Sequence, residues 1–311
     1  MQNKNEDETK LQKQIYKLIQ WNLLAKGEKF CNKSSFPNVS ENSLSWENRK
    51  LLFRQILKEL NSDFYCFEEV DDYENIGEIF ENKKFSSIYY SKESNPQGIA
   101  VFYNNEKFDL LESEKIFLNS NSIESEGNLI IKSSQFFSVY FFKEKDTNCQ
   151  KIFCLLVTHL KAKKEFEEIR KNQIKHICNY INFDENYLRK LKDYNCDSLI
   201  LCGDFNTEPD SESLSYLLNY KLMGKFEKFV SSYNLFDKNE KDFLECSTFK
   251  IREKEYYRVI DYIFYAGNIK LNKVINIPNK NSDEWKHILD KGLPSEEFPS
   301  DHHYLGIEFS L

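Results

Sequence analysis

The sequence predicts an α+β fold in which two β-sheets pack face to face and carry helices on their outer sides. Short apolar runs rich in Ile, Val, Phe and Tyr recur along the whole chain, as strands require. They outnumber the long stretches of helical period between them. A third observation concerns function: the polar residues that do not fit a pure packing account fall in the same place each time, at the end of a strand.

The first run covers 16–21 and is succeeded by Asn22. A Ser/Asn-rich stretch at 27–43 reads as a loop. Phe53, Ile56, Leu57 and Leu60 then repeat at i, i+3, i+4 and i+7, which predicts an amphipathic helix. Runs at 64–67, 98–103, 136–142 and 152–157 are the next strands, with a further loop expected at 119–134. Phe166, Ile169, Ile177 and Ile181 mark a second long helix over 164–181, with Glu167 and Lys171 spaced for an i, i+4 ion pair. After the strand at 199–202, Ser211 is the natural N-cap of a following helix. Strands at 259–265 and 304–309 complete the series.

Composition bounds the function. The chain has 311 residues, 40% hydrophobic, with 18 Tyr and 26 Phe, which suits a large aromatic core rather than disorder. No Pro/Gly/Ser-rich linker divides it, so a polar tail over 1–15 and a single catalytic domain over 16–311 are expected. Asp and Glu number 50 against 43 Lys and Arg, a net charge of −7. That balance lacks the basic excess needed to grip long nucleic acid through many phosphates. The eight cysteines form no C-x-x-C pair, and four sit in apolar runs, which fits a reducing compartment. The N-terminus has no apolar leader and no stretch has the length of a membrane span, so a cytoplasmic protein without membrane contact is expected.

The polar strand-end residues are Asn22, Glu68 and Glu69, His159, Asp204 and Asn206, Asp261, and Asp301 with His302. Singly, each has an ordinary reading as a turn, a cap or a satisfied core group. Alternation turns Glu68 and Glu69 to opposite sides, so at most one is functional. Asp261 is harder to dismiss, because a carboxylate among Val259, Ile260, Tyr262 and Ile263 costs several kcal/mol unless it is paired. His302 is the expected partner: an Asp that accepts from one imidazole nitrogen leaves the other free to move a proton. Asp204 and Asn206, spaced two apart beyond 199–202, are expected on one side, with Phe205 turned into packing and Gly203 admitting close backbone approach. With Glu69 or Asp301 holding a hard cation, the set suits hydrolysis of a phosphate ester.

In order, QWNLLA (20–25), FEEVDDYE (67–74), GIAVFY (98–103), THLKAK (158–163), GDFNTEP (203–209), STFKIR (247–252), IDYIFY (260–265) and PSDHHYL (299–305) resemble the endonuclease/exonuclease/phosphatase superfamily. WNLLA, WENRK (46–50) and THLKA point within it to the nocturnin-like deadenylase branch. The resemblance implies a four-layered α/β sandwich of DNase I type, with two central, mostly antiparallel sheets between helices. It implies Glu69 as the principal Mg²⁺ ligand, with Mn²⁺ as a substitute and Asn22 and Asp301 nearby. Asp204 and Asn206 would orient the attacking water and the phosphoryl group, His159 would stabilise charge on phosphate oxygens, and His302 held by Asp261 would act as acid/base. Lys161, Lys163, Lys250 and Arg252 would bind substrate phosphates, and Phe249, where the family often has Trp, would offer a stacking face. Glu68 stands where the family usually has Gln, and Lys163 where it has Arg.

The activity so implied is Mg²⁺-dependent hydrolysis of an adenine-containing nucleotide phosphate, with the 2′-phosphate of NADP(H) first. The alternative is poly(A)-specific 3′-exoribonuclease activity on an RNA 3′ end. A third reading, an inactive adaptor in RNA decay, is disfavoured by the intact polar set. A monomer is expected.

Overall fold

The computed structural model describes residues 14–81, 84–92, 95–118, 134–145, 150–251, 255–275 and 292–311. The chain opens with β1 (Tyr16–Asn22), a short helix α1 (Glu41–Leu44), the long helix α2 (Trp46–Leu60), β2 (Phe64–Val70) and α3 (Tyr73–Glu78). Four antiparallel strands follow: β3 (Phe85–Lys92), β4 (Asn95–Asn104), β5 (Phe108–Phe117) and β6 (Phe136–Glu144). Next come β7 (Ile152–His159), α4 (Glu167–Phe183), α5 (Glu185–Asp193), β8 (Ser198–Asp204), α6 (Glu212–Asn219) and β9 (Val230–Ser231). The remainder comprises β10 (Thr248–Ile251), β11 (Glu255–Arg258), β12 (Asp261–Gly267), β13 (Lys270–Ile275) and β14 (Leu305–Ser310).

These strands build two six-stranded sheets, β13-β14-β1-β2-β4-β3 and β5-β6-β7-β8-β12-β9, with β10-β11 as a separate hairpin. Each sheet is antiparallel except for one central parallel pair, β1 with β2 and β7 with β8. A parallel pair needs a crossover, and the helical periods foreseen in the sequence supply it: α2 joins β1 to β2, and α4 and α5 join β7 to β8. The sandwich is therefore α/β/β/α, and both parallel pairs end at the same edge.

The main core lies between the sheets, where Leu18 and Cys66 meet Phe142, Phe153 and Cys202, and continues under α4 and α6 through Ile174, Ile177 and Leu214. A second cluster, with Trp21, Phe53, Leu57 and Phe67, seats α2 on the outer face of the first sheet. Alternation thus divides β1 cleanly: Ile19 and Trp21 face α2, whereas Leu18, and with it Gln20 and Asn22, face the second sheet.

Local chemistry agrees in detail. Ser211 caps α6, its Oγ accepting from the Leu214 amide at 3.1 Å. The expected Glu167–Lys171 pair does not form: Lys171 reaches Glu212 at 2.6 Å and Glu167 takes Arg170 at 2.8 Å. A carboxylate in the first turn of α4 is better served by a buried guanidinium than by an exposed amine. The loop at 27–43 contains α1 near its end, capped by Ser40. Of the expected loop at 119–134, residues 119–133 lie outside the described residues. The seven described cysteines are free and buried. Among the described residues no helix is long and apolar enough to cross a membrane.

Candidate active site

Five strand-end side chains converge because the two parallel pairs stop together. Asn22 lies opposite Glu68 in the β1–β2 register, His159 lies opposite Asp204 in β7–β8, and Asp261 lies opposite Asp204 in β12–β8. Gly203 makes this possible. Its φ is +139°, and a Cβ there would stand 1.9 Å from the Thr158 carbonyl oxygen, so no side chain fits between β7 and β8.

Asp204 is the hub. Its Oδ1 accepts from the Asn206 amide at 2.8 Å, and its Oδ2 accepts from Asn22 Nδ2 at 3.0 Å. The same Oδ2 stands 3.6 Å from His159 Nε2 and 4.0 Å from His302 Nε2. Burial, with repulsion from Asp261 opposite, pushes the Asp204 carboxyl up to about 7. Asn206 stays on the Asp204 side, but for a different reason than strand alternation. The strand has ended, and Asn206 turns back in the left-handed region at φ 52°, its Nδ2 donating to Leu160 O at 3.1 Å. Phe205 is fully buried, edge-on to Tyr262 and Phe264.

Asp261 is fully buried, and the expected pairing with His302 is present, Nδ1 donating to Oδ2 at 2.9 Å. Ser247 Oγ donates to the same oxygen at 2.7 Å, and Gln20 Nε2 reaches the other at 3.2 Å. Burial opposes charge on His302, but Asp261 and Asp301 outweigh it and carry the imidazolium to about 10. His159 goes the other way: burial first, then Lys92 and His302, hold it well below its ordinary range, so it is neutral.

The two glutamates do part company, yet alternation assigns them the reverse of what function needs. Glu68 takes the inner face, fully buried, accepting from Gln20 Nε2 at 2.8 Å. Burial, with Cys202 and Asp261 adding repulsion, holds its carboxyl well above the usual range. Glu69 belongs by alternation to the α2 side. It reaches the cleft because the backbone turns left-handed there, φ 56°, where the β2–β4 register slips between Phe67 and Val70. Its carboxylate then meets Asn22 Nδ2 at 3.3 Å, the Ala25 amide at 3.2 Å and Gln97 Nε2 at 3.3 Å.

This donor set fits a hard divalent cation. Asp204, Asp261 and His302 offer ligand atoms within 4.8 Å of one another. Asp261 Oδ2 is already engaged by Ser247 and His302, which leaves Glu69 and Asp204 as the oxygen donors facing open space. An unrelieved excess of carboxylate, visible in the raised Asp204, is what a cation neutralises. Asp301 is buried and ion-paired with Lys250, and Lys250 and His302 overcome the effect of burial to hold its carboxyl below the usual range.

The cluster floors a cavity of about 670 Å³ lined also by Lys29, Lys92, Lys161, Lys163, Lys250 and Tyr256. Of the four residues expected to bind phosphate, Lys161, Lys163 and Lys250 line this cavity, and Arg252 lies outside the described residues. Phe249 is corrected: it is fully buried and stacked on Tyr257 at 4.2 Å, so it presents no face to a substrate.

Sequence reasoning assigned no role to Gln20, Ser247, Lys92, Arg49 or Arg170. Arg49, fully buried, donates to Pro299 O at 2.6 Å and Leu23 O at 2.5 Å, tying the loop after Asn22 to the loop before Asp301. A signal existed: Arg49 shares an i, i+4, i+8 stripe with Phe53 and Leu57, and a cation in an apolar stripe must be paid into hydrogen bonds.

In its fold the chain is similar to hydrolases of the endonuclease/exonuclease/phosphatase type. The sequence profile of the Endonuclease/Exonuclease/phosphatase family matches residues 168–302. Among individual proteins the chain is similar to nocturnin: it is 27% identical to mouse nocturnin over 310 residues, covering 95% of this chain and 65% of the relative. The chain thus spans just under two thirds of that protein's length. The human nocturnin catalytic domain, solved with a bound sulfate anion, superposes with a TM-score of 0.68 at 22% identity, over 96% of this chain and 97% of that one. ANGEL2, described as a 2′,3′-cyclic phosphatase and solved with adenosine-2′,3′-vanadate, superposes at 0.78 and 19% identity, over 97% of each. These structures share the sandwich fold.

Proposed function

We propose that the protein is a Mg²⁺-dependent phosphohydrolase acting on adenine-containing nucleotide phosphates, with the 2′-phosphate of NADP(H) as its leading substrate. The observation that carries this reading is the Asp204-centred cluster opening into a lysine-lined cavity of about 670 Å³, a size suited to a nucleotide and to the end of a strand rather than to a polymer.

Glu69 would be the principal ligand of the cation, with Asp204 as the second oxygen donor facing open space and Asn22 and Asp301 close by. When bound, the cation supplies charge neutralisation at a phosphate oxygen. Asp204 and Asn206 orient the attacking water, Asp204 through the oxygen it turns to both histidines. His302 moves the proton at Nε2 while Asp261 fixes Nδ1 and supports the imidazolium. His159, being neutral, serves as a hydrogen-bond donor to the phosphate rather than as a cation. Lys161, Lys163 and Lys250, and Arg252, hold the remaining phosphate charge.

Two other substrates share this chemistry, the 3′ end of poly(A) and an adenosine 2′,3′-cyclic phosphate. Purified protein with Mg²⁺ is therefore given NADP⁺, NADPH, 5′-labelled oligo(A) and adenosine 2′,3′-cyclic phosphate separately. Phosphate release from NADP(H) with the other two inert is the expected result. Oligo(A) shortening with intact NADP(H) selects the exonuclease, and no turnover of any substrate selects the inactive adaptor.

A further inference from the structure

We propose that Arg170 is a positioning residue for substrate phosphate: anchored by Glu167, it fixes the lysine loop at the cavity wall and sets affinity rather than chemistry. This rests on the phosphohydrolase reading only for its nucleotide readout.

The loop from Lys161 to Lys164 carries two of the cavity lysines and has no strand or helix to hold it before the short 3₁₀ turn at Lys164–Phe166. Its carbonyls are taken instead by one guanidinium. Arg170 Nη1 donates to Lys161 O at 3.0 Å and to Lys163 O at 2.5 Å, and Nη2 faces Lys164 O at 3.4 Å. The other edge of the fork meets Glu167 Oε2, from Nε at 3.2 Å and Nη2 at 2.8 Å. Arg170 is only 2% exposed, so no water replaces these bonds if they are lost.

Lys163 shows what the fork is holding. Its φ is 81°, a conformation a side chain rarely adopts and that persists only when its surroundings enforce it. The bond from Arg170 to the Lys163 carbonyl enforces it, and the Lys161 amide is fixed in turn by Gln173 Oε1 at 3.0 Å. Glu167 also accepts from Thr207 Oγ1 at 3.1 Å and from the Ser213 amide at 3.2 Å. The pair therefore locks the lysine loop to the segment just after Asn206. A lysine at 170 would keep the charge, but its point-like ammonium cannot serve three carbonyls and a carboxylate at once.

The full chain with Mg²⁺ is compared with its Arg170→Lys and Glu167→Gln variants, by calorimetric titration of inorganic pyrophosphate and by NADP⁺ turnover. Pyrophosphate should bind about tenfold more weakly to Arg170→Lys and about threefold more weakly to Glu167→Gln. KM for NADP⁺ should rise by the same factors, with kcat held within about twofold. Unchanged pyrophosphate affinity, or a fall in kcat at constant KM, overturns the assignment. Should Arg170→Lys fail to fold, Glu167→Gln decides alone, and parental affinity in that variant is the overturning result. Pyrophosphate binding does not depend on which ester is cut. A chain inert toward NADP⁺ whose Arg170→Lys variant still loses pyrophosphate therefore sinks the substrate and leaves the positioning role standing.

Discussion

The carboxamide of Asn22, at the end of β1 in one sheet, donates to Asp204 Oδ2, at the end of β8 in the other, across 3.0 Å. This bond crosses the sandwich at its open edge and joins the half of the cluster that holds Glu69 to the half that holds His302. Disturbing one half should therefore be felt in the other, and each disturbance has its own signature.

Asp261→Asn leaves an amide of the same shape beside His302 Nδ1 but no carboxylate to support the imidazolium. We expect kcat to fall by about 10²- to 10⁴-fold with KM little changed. Steady-state kinetics alongside a far-UV spectrum provide the check; parental kcat in a folded variant would dismantle the pair.

Cation binding should depend on pH through Asp204. Its carboxyl is raised to about 7 by burial and by Asp261, so a cation that takes this carboxylate below that pH must displace a proton. Mg²⁺ affinity should increase by up to about tenfold per pH unit between pH 5.5 and 7, then level off. Calorimetry in buffers of different ionisation heat measures the released proton, and a flat profile argues that the cation sits elsewhere.

Glu68→Gln tests the buried acid beneath the dyad. The folded carboxyl keeps its proton to higher pH than the unfolded one, whose ordinary value is 4.5. Native protein thus binds more protons, and stability drains away as pH climbs above that value. The amide lacks this liability. With chelator present, the variant should match the parent near pH 4 and exceed it by a margin that widens toward pH 8 in urea unfolding. Parallel pH profiles for the two proteins would count against it.

All eight strands expected from apolar runs occur, and they are mainly the buried ones. The strands the sequence hid include both edges of both sheets, β13 and β3 in one and β5 and β9 in the other, and the β10–β11 hairpin. Edge strands such as FDLLESEKIF expose one side to water and carry charge there, which erases the apolar run. The site followed the same logic. His302 with Asp261 was legible because a buried carboxylate demands a partner. The route of Glu69 was not, since it depends on a left-handed residue in a strand that no residue type announces. Phe249 was misread because stacking propensity says nothing about which partner takes the ring.

The hydroxyl of Ser300 holds the Asn22 carbonyl at 2.6 Å across 278 residues of sequence, and β14, which follows Ser300 in the chain, lies antiparallel beside β1. Neither parallel pair alone assembles Asn22, Asp204 and His302. A nascent or clipped chain short of β14 therefore has no partial hydrolase to offer, and catalytic competence doubles as a report that the entire sandwich has closed.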